Sequence, residues 1–282
     1  MSVANWLQLL HRRRTRAAIV CVAIIVSAAT AAAHDTWLLP SSMQVPVGRP
    51  VMLDLTSGVL FPNDDFAIVA TRVRRSIVRL GAITHPLPAP QSAPKSLRYQ
   101  WTPAVAGVAS IGIELAPKTL TLAPDKIEEY FSEINASATL RKTWSALGGK
   151  KQWIELYSKH ATTFVRVGSP SNDSSWLTPL GLDLEIVPLV NPTQLHAGDT
   201  LVLRVLRAAK PMQNFAVGAI WEGTDNATFV QTDASGRVRV ALKRGGKLLI
   251  NGTDLRRSTN PAFTWESDFV TLTLAVAAKN AK

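Results

Sequence analysis

Asp233-Ala234-Ser235-Gly236-Arg237-Val238-Arg239-Val240-Ala241-Leu242-Lys243 reads as a hairpin turn followed by a strand. Aspartate and glycine suit the tight turn, and the residues after it alternate apolar with polar. A period of two puts Val238, Val240 and Leu242 on one face of a sheet and Arg239, Ala241 and Lys243 on the other. The rhythm extends in both directions. Leu182, Leu184 and Ile186 alternate with Asp183 and Glu185, and Gly198-Asp199 turns the chain before Leu201, Leu203 and Val205. Gly245-Gly246 precedes Leu248-Leu249-Ile250, and Phe269 to Val276 is the last strand. Short strands between turns predict an immunoglobulin-like β-sandwich over residues 162–282.

Residues 34–120 read as β structure as well. Leu97, Tyr99 and Trp101 alternate with Arg98 and Gln100, and Ile111, Ile113 and Leu115 alternate with Gly112 and Glu114. His85 to Pro94 holds four prolines and reads as a surface loop. Between the two β regions, residues 121–161 read as a helical segment. Pro124-Asp125 suits a helix start, and Ile127, Tyr130, Phe131 and Ile134 make one apolar face. That helix is expected to continue through Leu147. A second helix is expected from about Lys150 to Lys159, with Trp153, Leu156 and Tyr157 inward and His160 at its end. The fold class is therefore mainly β: two immunoglobulin-like β-sandwich domains with a helical segment between them.

Residues 1–33 have the parts of a secretory signal. Arg12, Arg13, Arg14 and Arg16 are followed by the apolar run Ala17–Ala29 and by Ala31-Ala32-Ala33. Cleavage after Ala33 implies a periplasmic protein without a further membrane span; an uncleaved anchor is the alternative. Removing 33 of the 282 residues leaves 249, enough for one large domain or two small ones. Cys21, the single cysteine, leaves with the signal, so disulfides and thiolate ligands are excluded from the mature chain. The four arginines leave too, and the net charge falls from +11 to +7. The remaining charges are scattered, which argues against nucleic acid as a partner.

The same cut makes His34 the first residue. An N-terminal histidine offers its α-amine and ring Nδ1 together, and the amine deprotonates near pH ~8. Such a pair chelates a divalent transition metal, and imidazole suits zinc, copper, iron and nickel. His160 can add a third nitrogen; the plainer alternative is a histidine capping helix carbonyls. Asp35 can ligate or orient the His34 ring, or face solvent. Glu266 and Asp268, two apart on a strand, can present two carboxylates to one site, or form an exposed edge. His85 and His196 read as loop histidines. No nucleophile motif, zinc-protease motif or phosphate-cradling glycine loop occurs, so no catalytic residue is assigned.

Four segments carry a family resemblance: His34-Asp35-Thr36-Trp37-Leu38-Leu39-Pro40, Leu53-Asp54-Leu55-Thr56-Ser57-Gly58, Tyr157-Ser158-Lys159-His160-Ala161 and Trp265-Glu266-Ser267-Asp268-Phe269. On these the chain resembles the DUF4198 family, exported bacterial proteins associated with cobalt and nickel uptake. The resemblance implies a periplasmic protein that binds or delivers a transition metal, with a metal permease of the inner membrane as its partner. Two other readings compete. One is a copper-dependent oxygenase built on an N-terminal histidine brace. The other is a metal-free β-sandwich binding module, since fold alone does not fix function.

Overall fold

The computed structural model describes residues 34–148, 152–169 and 173–279; the signal segment expected over 1–33 lies outside them. In chain order the strands are β1 (Asp35–Pro40), β2 (Gln44–Val45), β3 (Val51–Gly58), β4 (Phe66–Ala67), β5 (Val73–Leu80), β6 (Ile83–Pro86), β7 (Gln91–Ser92), β8 (Leu97–Trp101) and β9 (Gly107–Leu122). Helices α1 (Ile127–Glu133) and α2 (Ala138–Ser145) follow. Then come β10 (Trp153–Val167), β11 (Leu184–Pro188), β12 (Thr200–Arg207), β13 (Lys210–Pro211), β14 (Ala216–Trp221), β15 (Thr228–Gln231), β16 (Arg237–Ala241), β17 (Gly246–Arg257) and β18 (Trp265–Val276).

The organising element is a nine-stranded sheet in the order β15-β14-β17-β18-β10-β9-β5-β6, with β2 paired to β10. A smaller sheet covers each of its faces. On one, β1-β3-β8-β7 packs Leu38, Leu53, Leu55 and Leu97 against Ile111, Ile113, Ala161 and Val165. On the other, β11-β12-β13 with β16 packs Leu201, Leu203, Val205 and Val238 against Phe164, Val217, Ile250 and Leu272. Each fully buried aliphatic side chain contributes roughly 1.5–3 kcal/mol. The chain is thus mainly β and sandwich-forming, but the two sandwiches share one sheet. From Asp35 onward the chain forms one compact unit.

The region between the expected sandwiches is corrected in two places. Ile127, Tyr130, Phe131 and Ile134 are buried on one helical face, as their spacing predicts. The helix stops at Glu133, however, because Asn135 takes φ +48° and Ser137 starts a new helix by accepting from the Leu140 N–H. The second expected helix is a strand. Trp153, Leu156 and Tyr157 have helical spacing, yet Trp153, Glu155 and Tyr157 are buried while Ile154 and Leu156 are half-buried, the alternation of a strand, and β10 bonds to β9 on one side and β18 on the other. Long-range pairing overrides a periodicity that fits both structures. His160 therefore lies in mid-strand, not at a helix end, and the expected boundary at 161 falls inside β10. His85 lies on the short strand β6 rather than in a loop.

The Asp233–Gly236 turn also differs from its reading. It closes locally as expected, with Gly236 at φ +73° and the Asp233 N–H donating to the Arg237 carbonyl at 2.8 Å. Its flanking strands nevertheless belong to different sheets: β15 pairs with β14, and β16 with β12. The turn carries the chain across the sandwich.

Candidate functional site

Parallel pairing of β10 with β18 sets Leu156 beside Glu266, Ser158 beside Asp268 and His160 beside Val270. Residues level in a ladder share a face, so His160, Glu266 and Asp268 all point toward the β11-β12 side. Antiparallel β17 adds Asp254 and Arg256 to that face, and β12 faces it with Arg207. These side chains form one network. The His160 ring is fully buried, and its Nε2 donates to Asp268 Oδ1 at 3.1 Å. Arg256 reaches Asp268 at 2.7 Å, Asp254 at 3.3 Å and Glu266 at 3.4 Å. Arg207 pairs with Asp254 at 2.7 Å. Ser258 donates to Glu266 at 2.8 Å. Beyond His160, Arg74 pairs with buried Glu114 and with Asp183. A cleft of about 260 Å³ opens here, lined by Arg74, Asp183, Arg207, Arg256, Glu266 and Asp268.

Burial pushes the Asp268 carboxyl up, but the hydrogen bond and charge of His160, with Arg256, outweigh it and hold the group below the usual carboxylate value. At Asp254 the balance is reversed: burial raises it despite Arg207 and Arg256.

Asp35 belongs to the opposite face. Its carboxylate accepts from Asn251 Nδ2 at 2.8 Å, and Asn251 is level with Thr271 and Ala161, not with His160. Glycine at 218 leaves room for this asparagine, since a Cβ there would collide with Asn251 Oδ1. Lys159, next to His160 in β10, points the same way as Asp35. Its Nζ lies 5.7 and 5.6 Å from the rings of Tyr157 and Phe269. Burial raises the Asp35 carboxyl, against Asn251 and Lys159. Glu155, also on this face, accepts from Tyr130 and from Trp153, both at 2.8 Å.

The five candidate ligands therefore do not make one cluster. His160, Asp268 and Glu266 share the cleft, Asp35 lies on the far face, and His34 stands immediately before β1. One observation favours a metal at His160: its Nδ1 is buried without a hydrogen-bond partner while a carboxylate holds Nε2. The surrounding donors oppose it. The carboxylates of Asp268, Glu266 and Asp254 are already compensated by Arg256 and Arg207, which a divalent cation would have to displace. Among the described residues, no group of three or more His, Asp or Glu is arranged to hold an ion. The cleft residues do not fit a metal centre.

Arg74, Arg207, Arg256, Asp254, Lys159 and Asn251 were not singled out from sequence. The available signal was charge inside a strand, as in Thr253-Asp254-Leu255-Arg256 and Glu155-Leu156-Tyr157-Ser158-Lys159.

Burial lowers Lys159 from 10.5 to about 8, with Asp35 pulling the other way. A lysine depressed in the folded state binds its proton less tightly there than when unfolded. Its destabilising effect is full below pH 8 and fades as pH rises toward 10.5. Thermal melts from about pH 7.5 to 9.5 should show stability rising with pH, and Lys159→Met should flatten the curve. A wild-type curve already flat over that interval contradicts the assignment.

The family profile described as a domain of unknown function, DUF4198, matches residues 31–252. The chain belongs to this family. The DUF4198 match takes in His34, Asp35, Lys159, His160 and Asn251. It ends within β17, so Asp254, Arg256, Glu266 and Asp268 lie beyond it. No curated protein matches the chain at a significant level. Solved structures similar to it include the adhesin InvE of Yersinia pseudotuberculosis, at 11% identity and TM-score 0.22, covering 86% of this chain and 58% of that one. The mouse nectin-like molecule 4 ectodomain is 12% identical at TM-score 0.19, with 88% and 66% covered. A mixed-linkage glucan utilization protein of Bacteroides ovatus, SGBP-B, is 11% identical at TM-score 0.20, with 84% and 46% covered. Likeness at this level assigns neither activity nor ligand. No described helix is long and apolar enough to cross a membrane.

Proposed function

We propose that the mature chain is a periplasmic, non-catalytic protein that binds a divalent transition metal, nickel or cobalt, through the amine and imidazole of His34. Delivery to a metal permease of the inner membrane is the role this gives it. The observation that carries the reading is where β1 begins. Its first residue, Asp35, comes one position after the N-terminus left by cleavage. The strand is then pinned from Asp35–Gly58 to Pro40–Leu53 along β3, and Asp35 is tied to Asn251. A chelating terminus joined to an ordered strand loses little further conformational entropy when a metal closes the ring. The family's association with cobalt and nickel uptake supports the choice of cargo.

Calorimetry on protein beginning at His34 tests this. Nickel, cobalt, copper and zinc should bind with Kd of about 1 μM or tighter, near −8 kcal/mol. Copper should bind tightest whatever the cargo, by the Irving–Williams order. One glycine added before His34 removes the amine from chelating distance and should weaken binding at least about tenfold, some 1.4 kcal/mol. Equal affinity with the terminus extended overturns the proposal.

A further inference from the structure

The outer face of the smaller β11-β12-β13 sheet carries a cluster of arginines that the metal reading does not use. Val238 and Val240 of β16 turn into the core, which leaves Arg237 and Arg239 on the outside. Arg204 of β12 is the direct cross-strand partner of Arg237, and Val202 is the partner of Arg239. Like charges directly opposite one another sit with Cβ atoms about 5 Å apart and destabilise a sheet unless something neutralises them.

Among the described residues Asp233 offsets this repulsion only in part, through its charge attraction to Arg237. None of the ion pairs among the described residues includes Arg204, Arg237 or Arg239. Arg204 Nε is buried and has no hydrogen-bond partner. The nearby acid is Asp233, and its Oδ1 is taken up by the turn: it accepts from Ser235 N–H at 2.8 Å, Ser235 Oγ at 2.7 Å and Arg237 N–H at 3.0 Å. Beside the arginines runs a groove of about 630 Å³ with Leu189, Val202 and Val238 in its lining and Asp233, Arg237 and Arg239 along it. Concave, partly apolar walls focus the field of uncompensated charge.

We propose that this groove binds a phosphate-bearing ligand. A guanidinium presents paired N–H donors that match two phosphate oxygens, and a group of charge near −2 can bridge Arg237 and Arg239, which line the groove, with Arg204 level with Arg237 on the adjacent strand. The same ligand would relieve the repulsion between Arg204 and Arg237. The phosphate can belong to a soluble molecule or to a lipid headgroup, and both present the same oxygens. The site is separate from His34 and does not depend on metal.

The test uses metal-stripped mature protein, inorganic pyrophosphate followed by calorimetry, and sedimentation with vesicles of neutral lipid with or without phosphatidylglycerol. Pyrophosphate binding that weakens about tenfold in each of Arg204→Gln and Arg237→Gln, and as salt rises, establishes a site for a soluble ligand. Binding to the anionic vesicles alone, lost in the same variants, establishes the lipid source. Arg237→Lys, which keeps charge but not the fork, should retain part of either signal. Without ligand the Gln variants should melt at or above the parent, since each removes the Arg204–Arg237 repulsion, and this separates lost binding from lost fold. Adding a residue before His34 should leave phosphate binding intact. Absence of binding to both probes, or binding equally strong in the Gln variants, overturns the proposal.

Discussion

Asp268→Ala is expected to destabilise the protein by about 3–5 kcal/mol, the cost typical of removing one partner from a buried charge network. The carboxylate is the junction of that network: it accepts from the fully buried His160 and from Arg256, and Arg207 approaches to 4.0 Å. Alanine would leave His160, whose Nδ1 already has no partner, without a hydrogen bond on either nitrogen. It would also leave Arg256 short of its closest contact. Equilibrium denaturation should show the loss as a lower midpoint, and a thermal melt as a fall of about 10 °C for a chain of this size. Asp268→Asn keeps an acceptor but not the charge and should cost less. The pH dependence has a definite sign. A carboxyl held below its ordinary 3.8 in the folded state stabilises fully above that value. The stabilisation is lost as pH falls through the folded value, so the gap between parent and variant should narrow below pH ~4. A cost under about 1 kcal/mol would place these residues with solvated surface pairs instead.

Much of the fold is legible because alternation is a local signal. Val238 and Val240 go in and Arg237 and Arg239 stay out, as a period of two demands. What alternation cannot tell is which sheet a strand joins. The Asp233–Gly236 turn has hairpin chemistry, yet its strands pair with β14 and β12. The same limit hid the shared sheet: nothing local in Trp153–Val167 shows that it will be bonded on both sides. The segment also satisfies helical spacing, so the error over its class displaced His160 from mid-strand to a helix end. Glu266 and Asp268 were placed on one face correctly, because that needs only their separation. Their arginine partners come from Arg256 and Arg207, and no pattern within either strand shows that β12 will face β18. Asp35 shows the converse. Sequence set it beside His34 and left its direction open, and only the sheet topology puts it with Asn251, across the sheet from His160.

Trp153→Ala should cost about 3–5 kcal/mol from lost burial and cavity formation alone. The indole is 1% exposed and stands at the centre of an aromatic cluster. Tyr130, Phe131 and Trp144 meet it edge-on with centroids at 5.3 Å, and Trp265 lies tilted at 5.3 Å. Aromatic pairs contribute roughly 0.5–1.5 kcal/mol each beyond area, so the total should reach the upper end of that range or exceed it. The indole N–H also donates to buried Glu155, whose carboxyl burial already raises. Three of the four rings belong to α1 and α2, so this one strand residue holds both helices against the sheet. The damage should therefore be uneven. Amide exchange in residues 127–145 should quicken much more than in β17 and β18, because the helices can open while the long ladders stay closed. Trp153→Phe keeps a ring but loses the donor, and should retain most of the helices' protection. A uniform rise in exchange with no preference for the helices would show that the cluster supports the whole sandwich instead. Unchanged stability in Trp153→Ala would show that the helices are held by something other than these rings.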